Sequence, residues 1–363
     1  MLPYIVIFII LLLIKNNKNS NFYSFIIIFL FMGSRYGVGS DWELYYPIAK
    51  KIEFLDYSIF YPFFNKISPM QYGWGELYRY FNFEISNRIL YKIVWFFKWP
   101  QLIIYLYSFL CLIFIKLGLE NIKNKEYIKY SWILFFSFQE FFLLYLNLMR
   151  QAVAISIVFF SYKFIIKRNK YKFIACILIA MSFHTSAIFC VFLYLVNYLN
   201  SISKKTIILL YFLSFFVKDI ILFILKSSTF IPTKYIGYLQ QTFSGGIKIN
   251  YLLNFLGIFF IIFIVNKKET RKLIFIILIG FYLNMIFKGT GYLVIRTRIY
   301  FLIFILYLVP LLCKNKLKKY IFIVCCYILL NLSLINDIVS EYGRIYVPYK
   351  IFLKINNKEE WEM

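Results

Sequence analysis

Apolar residues in this chain come in runs too long and too uniform for helices that cover a soluble core with one face. The runs lie at 2–14, 22–33, 101–118, 128–146, 150–166, 171–199, 206–225, 249–265, 272–288, 297–313 and 319–336, joined mostly by short polar connections. A hydrocarbon slab about 30 Å thick selects helices of about 20 apolar residues, because a backbone in lipid must satisfy its hydrogen bonds internally. The pattern predicts an all-α, polytopic integral membrane bundle. One long polar and aromatic loop, 34–88, breaks it, and connections of that length tend to carry function. The stretch 89–99, ending Trp95-Phe96-Phe97-Lys98-Trp99-Pro100, reads as an interfacial aromatic helix leading into the next span. The chain is thus one transmembrane domain, 1–363, with an external loop 34–99 inserted after the second helix. Leu2 to Ile14 lacks a basic leader and a small-residue cleavage site, so it reads as a retained helix. No internal repeat is evident.

Charge supplies the sidedness. Lysine-rich clusters at Lys15/Lys18, Lys123/Lys125, Lys167/Arg168/Lys170/Lys172, Lys204/Lys205, Lys267/Lys268/Arg271/Lys272 and Lys314/Lys316/Lys318/Lys319 fall between apolar runs, as cytoplasmic connections do. Segment 171–199 both begins and ends at such clusters, and it is too long for one untilted span. It must cross twice or enter and return, and its polar midpoint Ser182-Phe183-His184-Thr185-Ser186 is the place for the break. His184, the chain's single histidine, then lies at the external side. Counting this segment as two passes gives about twelve helices with both termini outside. Within 206–225, Lys218-Asp219 is either a neutralised pair or the membrane edge of a shorter span.

Composition agrees, with 62% hydrophobic and 23% aromatic residues and a mean hydropathy of +0.73. The net charge of +25 is dispersed as topology signals rather than gathered into a basic patch, so no nucleic-acid partner is expected. All six cysteines (Cys111, Cys176, Cys190, Cys313, Cys325, Cys326) fall inside apolar runs, which argues against a disulfide framework. One histidine cannot build a zinc centre, and neither a metal nor a cofactor is expected.

The same topology separates the arginines from the lysines. Arg35, Arg79, Arg88, Arg150, Arg296, Arg298 and Arg344 fall outside, with Arg168 and Arg271 inside. Arginine on the side that the positive-inside rule disfavours suits phosphate recognition, since its planar, permanently charged fork grips two oxygens at once. Arg35, Arg150, Arg296 and Arg298 stand at external ends of apolar helices. Arg79, Arg88 and Arg344 read more simply as interfacial or carboxylate-paired residues. Around Arg35, the stretch Gly33 to Tyr45 adds glycines, Asp41, Glu43 and aromatic rings. Asn147, Arg150 and Gln151 share one helical face by their spacing. His184 suits proton transfer near neutral pH. Gly289 to Phe301 leads into a helix carrying Arg296, Arg298 and Tyr300. Tyr and Trp of loop 57–81 suit stacking on sugar rings or an interfacial belt.

In RYGVGSDWELYY (35–46), NLMRQAVAISIVFFSYKFIIKRNKYKFIACILIAMSFHTSAIF (147–189) and RTRIYF (296–301), with YVPYK (346–350) fitting less specifically, the chain resembles the EpsG-like branch of the Wzy family of polysaccharide polymerases. It departs from that pattern near 72–78, where Glu76 follows Gly73 and Gly75 rather than preceding a glycine. The resemblance implies a glycosyltransferase in a bacterial inner membrane with its active site facing the exterior. The donor would be a growing glycan on undecaprenyl diphosphate, and the acceptor a single lipid-linked repeat unit. Expected partners are membrane lipid and the chain-length regulator and flippase of the same pathway. On this reading Arg150, Arg296 and Arg298 hold the leaving diphosphate, helped by Arg35. His184 or Asp41 takes the acceptor's proton, and Gln151 and Tyr300 position sugar or phosphate. Two other readings are a lipid-linked oligosaccharide flippase and a membrane acyltransferase acting on surface glycans.

Overall fold

The computed structural model describes residues 1–51, 59–64, 75–122, 125–198, 209–210, 213, 220, 270–286, 292–313, 315–339 and 345–351. Among them regular structure is helical, and one isolated antiparallel bridge joins Arg35 to Ile351. The main helices are α1 (Leu2–Leu13), α2 (Ser20–Gly33), α3 (Ser40–Lys50), α4 (Glu76–Phe81), α5 (Ile85–Phe97), α6 (Leu102–Leu119), α7 (Ile128–Ser137), α8 (Phe142–Asn147), α9 (Met149–Ile166), α10 (Lys170–Phe183), α11 (Arg271–Ile286), α12 (Tyr292–Leu302) and α13 (Lys316–Val339). A 3₁₀ helix, Thr185–Asn197, follows α10. The expected segments 206–225 and 249–265 lie almost wholly outside the described residues, as do Lys218, Asp219 and Arg344.

Among the described residues, α6, α9 and α13 are long and apolar enough to cross a membrane, and α1, α2 and the 3₁₀ helix are shorter apolar elements. The faces of α13 show why lipid is its solvent. Val324, Ile328, Leu332 and Ile335 are exposed at helical spacing, while Cys326, Leu330 and Leu334 are buried. A helix apolar on both its inner and outer faces is stable where the outer face meets hydrocarbon. On α5 the pattern differs: Asn87, Arg88, Tyr91 and Val94 turn inward, while Ile89, Ile93, Phe96 and Phe97 face out. The sequence predicts a helix at 89–99; the one observed begins four residues earlier and ends at Phe97.

Two of the expected runs are broken. The run 128–146 divides into α7 and α8 at Phe138–Phe141, where Gln139 is exposed. Its polar pair Gln139-Glu140 marks a turn at the surface rather than the middle of a span. The run 171–199 divides at His184, as its length requires: α10 stops at Phe183 and the 3₁₀ helix starts at Thr185.

The chain groups into two compact units. The first comprises Met1–Phe160, Leu178–Thr185 and Val309–Met363. Within it α2 packs on α6 and α7, α7 also receives α1 and α13, and α3 lies across α6 and α8. Gly33 lets α2 pass close to α6, since a Cβ there would sit 2.6 Å from the Tyr105 ring. The second unit comprises Ser161–Ile177 and Ser186–Leu308. There α11 packs along α12, tightly enough that a Cβ on Gly280 would meet Phe301 and Leu302 at 3.0 Å. Close approach through small residues is how helices associate when burial from water supplies no driving force.

Candidate active site

The site is assembled where three distant stretches of the first unit meet. After α2 the chain turns through Gly39, whose φ of +90° belongs to the left-handed region. A Cβ there would lie 2.8 Å from the Leu146 carbonyl oxygen, so the turn needs glycine on both counts. Immediately beyond, the Ser40 N–H donates to Asn147 Oδ1 at 2.8 Å and the Met149 N–H donates to Asp41 Oδ2 at 3.0 Å. Asp41 thus caps the N-terminus of α9, where a carboxylate meets an otherwise unpaired amide and the positive end of the helix dipole.

The chain's other end completes this frame. Asp337, buried on α13, accepts the N–H groups of Ile345, Tyr346 and Val347 at 2.9–3.0 Å. The strap so held returns across the loop after α2, where Tyr36 N–H donates to Lys350 O at 2.9 Å and Gly39 N–H to Ile345 O at 3.0 Å. Tyr346 contacts Asn147 through its hydroxyl, and Tyr349 stacks on Phe31 with ring centroids 4.1 Å apart. The weakly specific YVPYK motif is therefore part of the scaffold around the site.

Arg35 lies inside this frame with no exposed surface. Its Nε donates to Val38 O at 3.1 Å and its Nη1 to Met32 O at 2.6 Å, while Nη2 faces Leu146 O and the Met149 sulfur. Burial pushes the guanidinium down to about 10, so it stays charged at neutral pH. Enclosed by three backbone oxygens and the Met149 sulfur, the guanidinium holds the loop after α2 against the start of α9.

Arg150, one residue into α9, is held differently. Its Nε donates to the Tyr45 hydroxyl at 2.5 Å and its Nη1 to Glu84 Oε2 at 2.5 Å. The guanidinium carbon lies 4.5 Å from the centre of the Phe83 ring. Nη2 donates to no described residue, and the side chain keeps 22% of its surface accessible. Burial pushes the Tyr45 phenol up while Arg150 draws it down, the net direction being upward, so Tyr45 accepts here as a neutral hydroxyl. Two nitrogens of the fork are thus engaged, and Nη2 is available for an anion.

Glu84 has no place among the residues expected from sequence, yet it connects this arginine to the break in segment 171–199. Besides Arg150 it accepts Asn87 Nδ2 at 3.1 Å, and its Oε1 accepts the Thr185 N–H at 3.3 Å. The only sequence sign was its position just ahead of an apolar helix, a cap position. His184 stands between α10 and Thr185, half-buried, its own N–H closing the last turn onto Ala180 O at 3.0 Å. Gln151, beside Arg150, is buried at 2% exposure.

The first unit therefore brings Arg35, Asp41, Arg150, Gln151 and the His184 turn to one end of its helices. The second carries Arg296, Arg298 and Tyr300 on α12. There the Tyr300 hydroxyl lies 3.0 Å from Ser186 Oγ, Tyr300 is 2% exposed, and both arginines are half-buried. Glu76, at the start of α4, pairs with Lys51 at 3.1 Å, well exposed to solvent. Among the described residues no cluster of three metal-ligating side chains occurs.

An all-helical membrane bundle with a clamped arginine, a capping carboxylate and a histidine at a helix break defines a polytopic membrane protein with a polar site at its helix ends. The chain belongs to the EpsG family, which matches residues 19–351, nearly the whole sequence. The resemblance drawn from the motifs is thereby borne out. No curated protein and no solved structure matches the chain. Membership makes it a membrane protein of polysaccharide synthesis, of the glycosyltransferase-like polymerase type.

Proposed function

We propose that this protein polymerises lipid-diphosphate-linked oligosaccharide repeat units, with undecaprenyl diphosphate as carrier, on the external face of the bacterial cytoplasmic membrane. The observation that carries the reading is Arg150, held through Nε by Tyr45 and through Nη1 by Glu84 with Nη2 left for a phosphate oxygen, in the same cluster as the His184 turn. In the reaction a hydroxyl of the acceptor's terminal sugar gives its proton to His184 as its oxygen bonds to the donor's anomeric carbon. The bond from that carbon to the diphosphate oxygen breaks, and the electron pair leaves with undecaprenyl diphosphate. Arg150 at the positive end of α9 stabilises the charge that develops there, a contribution of about 3–4 kcal/mol for a well-placed donor. Arg296 and Arg298 would hold the carrier headgroup, with Tyr300 positioning sugar or phosphate. Asp41, engaged by the α9 N-terminus, is the less suited base, and Gln151, beside Arg150, would position sugar or phosphate.

Purified protein incubated with a synthetic lipid-linked repeat unit tests this. Wild type extends the glycan, whereas Arg150→Ala and His184→Ala remain folded and leave single units on the carrier. Normal polymer lengths from either variant would sink the assignment. In a null strain a polymerase leaves unpolymerised units outside, a flippase leaves them inside, and an acyltransferase leaves full-length unmodified polymer.

A further inference from the structure

Glu84 does more than balance the charge of Arg150. Its Oε2 holds Arg150 Nη1 at 2.5 Å and its Oε1 receives the Thr185 N–H at 3.3 Å. The rest of the same helical turn reaches the same target. Ser86 Oγ lies 2.6 Å from Ser182 Oγ, and Asn87 Nδ2 donates to Phe183 O at 2.9 Å. Asn87 is itself braced by the Tyr107 hydroxyl at 2.9 Å. The first turn of α5 therefore grips residues 182, 183 and 185 on both sides of His184, and Glu84 ties that grip to Arg150.

We infer that Glu84 is the positioning residue of the site: one carboxylate sets the Arg150 guanidinium and the His184 turn in register, so that the group receiving the proton and the group receiving the leaving charge keep a fixed separation. This rests on the polymerase reading above. A general-base role fits less well, because both Glu84 oxygens already face donors. A pair serving stability alone would need only Arg150, whereas here the carboxylate and its helical turn also hold the break between α10 and the 3₁₀ helix. Displacing a catalytic group by about 1 Å is enough to cost about 100-fold in rate.

The test uses full-length protein with Glu84→Gln, which keeps the shape and removes the charge, and Glu84→Asp, which keeps the charge and shortens the reach. The expected result for Glu84→Gln is a kcat lower by about 10–100-fold with KM within about threefold, and Glu84→Asp recovers part of the loss. In parallel, Thr185→Cys is placed in a Cys325→Ser background, since Cys325 is the exposed cysteine among the six. Its labelling by a membrane-impermeant maleimide should quicken severalfold when Glu84→Gln is added. Wild-type kcat in Glu84→Gln, or labelling that does not change, overturns the inference. A fall in KM overturns it as well, since that would mark Glu84 as an internal anion occupying the substrate's place. If wild type itself forms no polymer, the polymerase reading fails, and the labelling comparison still decides whether Glu84 holds the turn.

Discussion

Replacing Arg35 by lysine separates a structural arginine from a substrate-binding one. The charge is kept, so any effect comes from the lost fork. The two shortest bonds to backbone oxygens run to Met32 O at 2.6 Å and to Val38 O at 3.1 Å, while Nη2 lies 3.4 Å from Leu146 O and 3.0 Å from the Met149 sulfur. A lysine ammonium at this depth can meet one of the short pair. The other carbonyl, buried in the frame, then loses a charge-assisted partner, which costs about 1.5–3 kcal/mol. Lysine is also more strongly hydrated than arginine and less easily taken out of water. Arg35→Lys should therefore lower stability by about 2–4 kcal/mol, read as a melting temperature several degrees lower in detergent. Below its own melting temperature the variant should retain a near-native KM for the lipid-linked unit. A variant with wild-type melting behaviour and a KM raised tenfold or more would refute this and return Arg35 to the substrate.

Other perturbations address the frame around the site. Gly39→Ala places a methyl group 2.8 Å from Leu146 O at a φ of +90°. The backbone strain alone costs about 1–3 kcal/mol, so a thermal scan indistinguishable from wild type would contradict the turn geometry. Asp337→Asn leaves one acceptor oxygen where the carboxylate's two served three N–H groups. At least one buried amide loses its partner, at about 1–3 kcal/mol, and trypsin should cut at Lys350 faster than in wild type. Unchanged proteolysis would mean that Asp337 does not hold the strap.

Much of this protein was legible in one dimension. Hydrophobic run length, lysine placement and the solvation of a backbone in lipid are properties of consecutive residues. They identified the helical membrane class, a helix within 89–99, and the division of 171–199 at His184, because a run bounded by like charges and too long for one crossing must break at its polar centre. The family was readable from motifs for the same reason. What tertiary structure decided is which polar group meets which. Arg35 and Arg150 look alike in sequence, each at the external end of an apolar helix. One is closed in by the carbonyls of Met32, Val38 and Leu146, and the other is clamped by a tyrosine and a glutamate 105 and 66 residues away. Glu84 carried no motif, since its importance comes from the convergence of α5, α9 and the break after α10. A buried charge takes whichever partners the packed helices bring within about 3 Å, and that choice belongs to the fold.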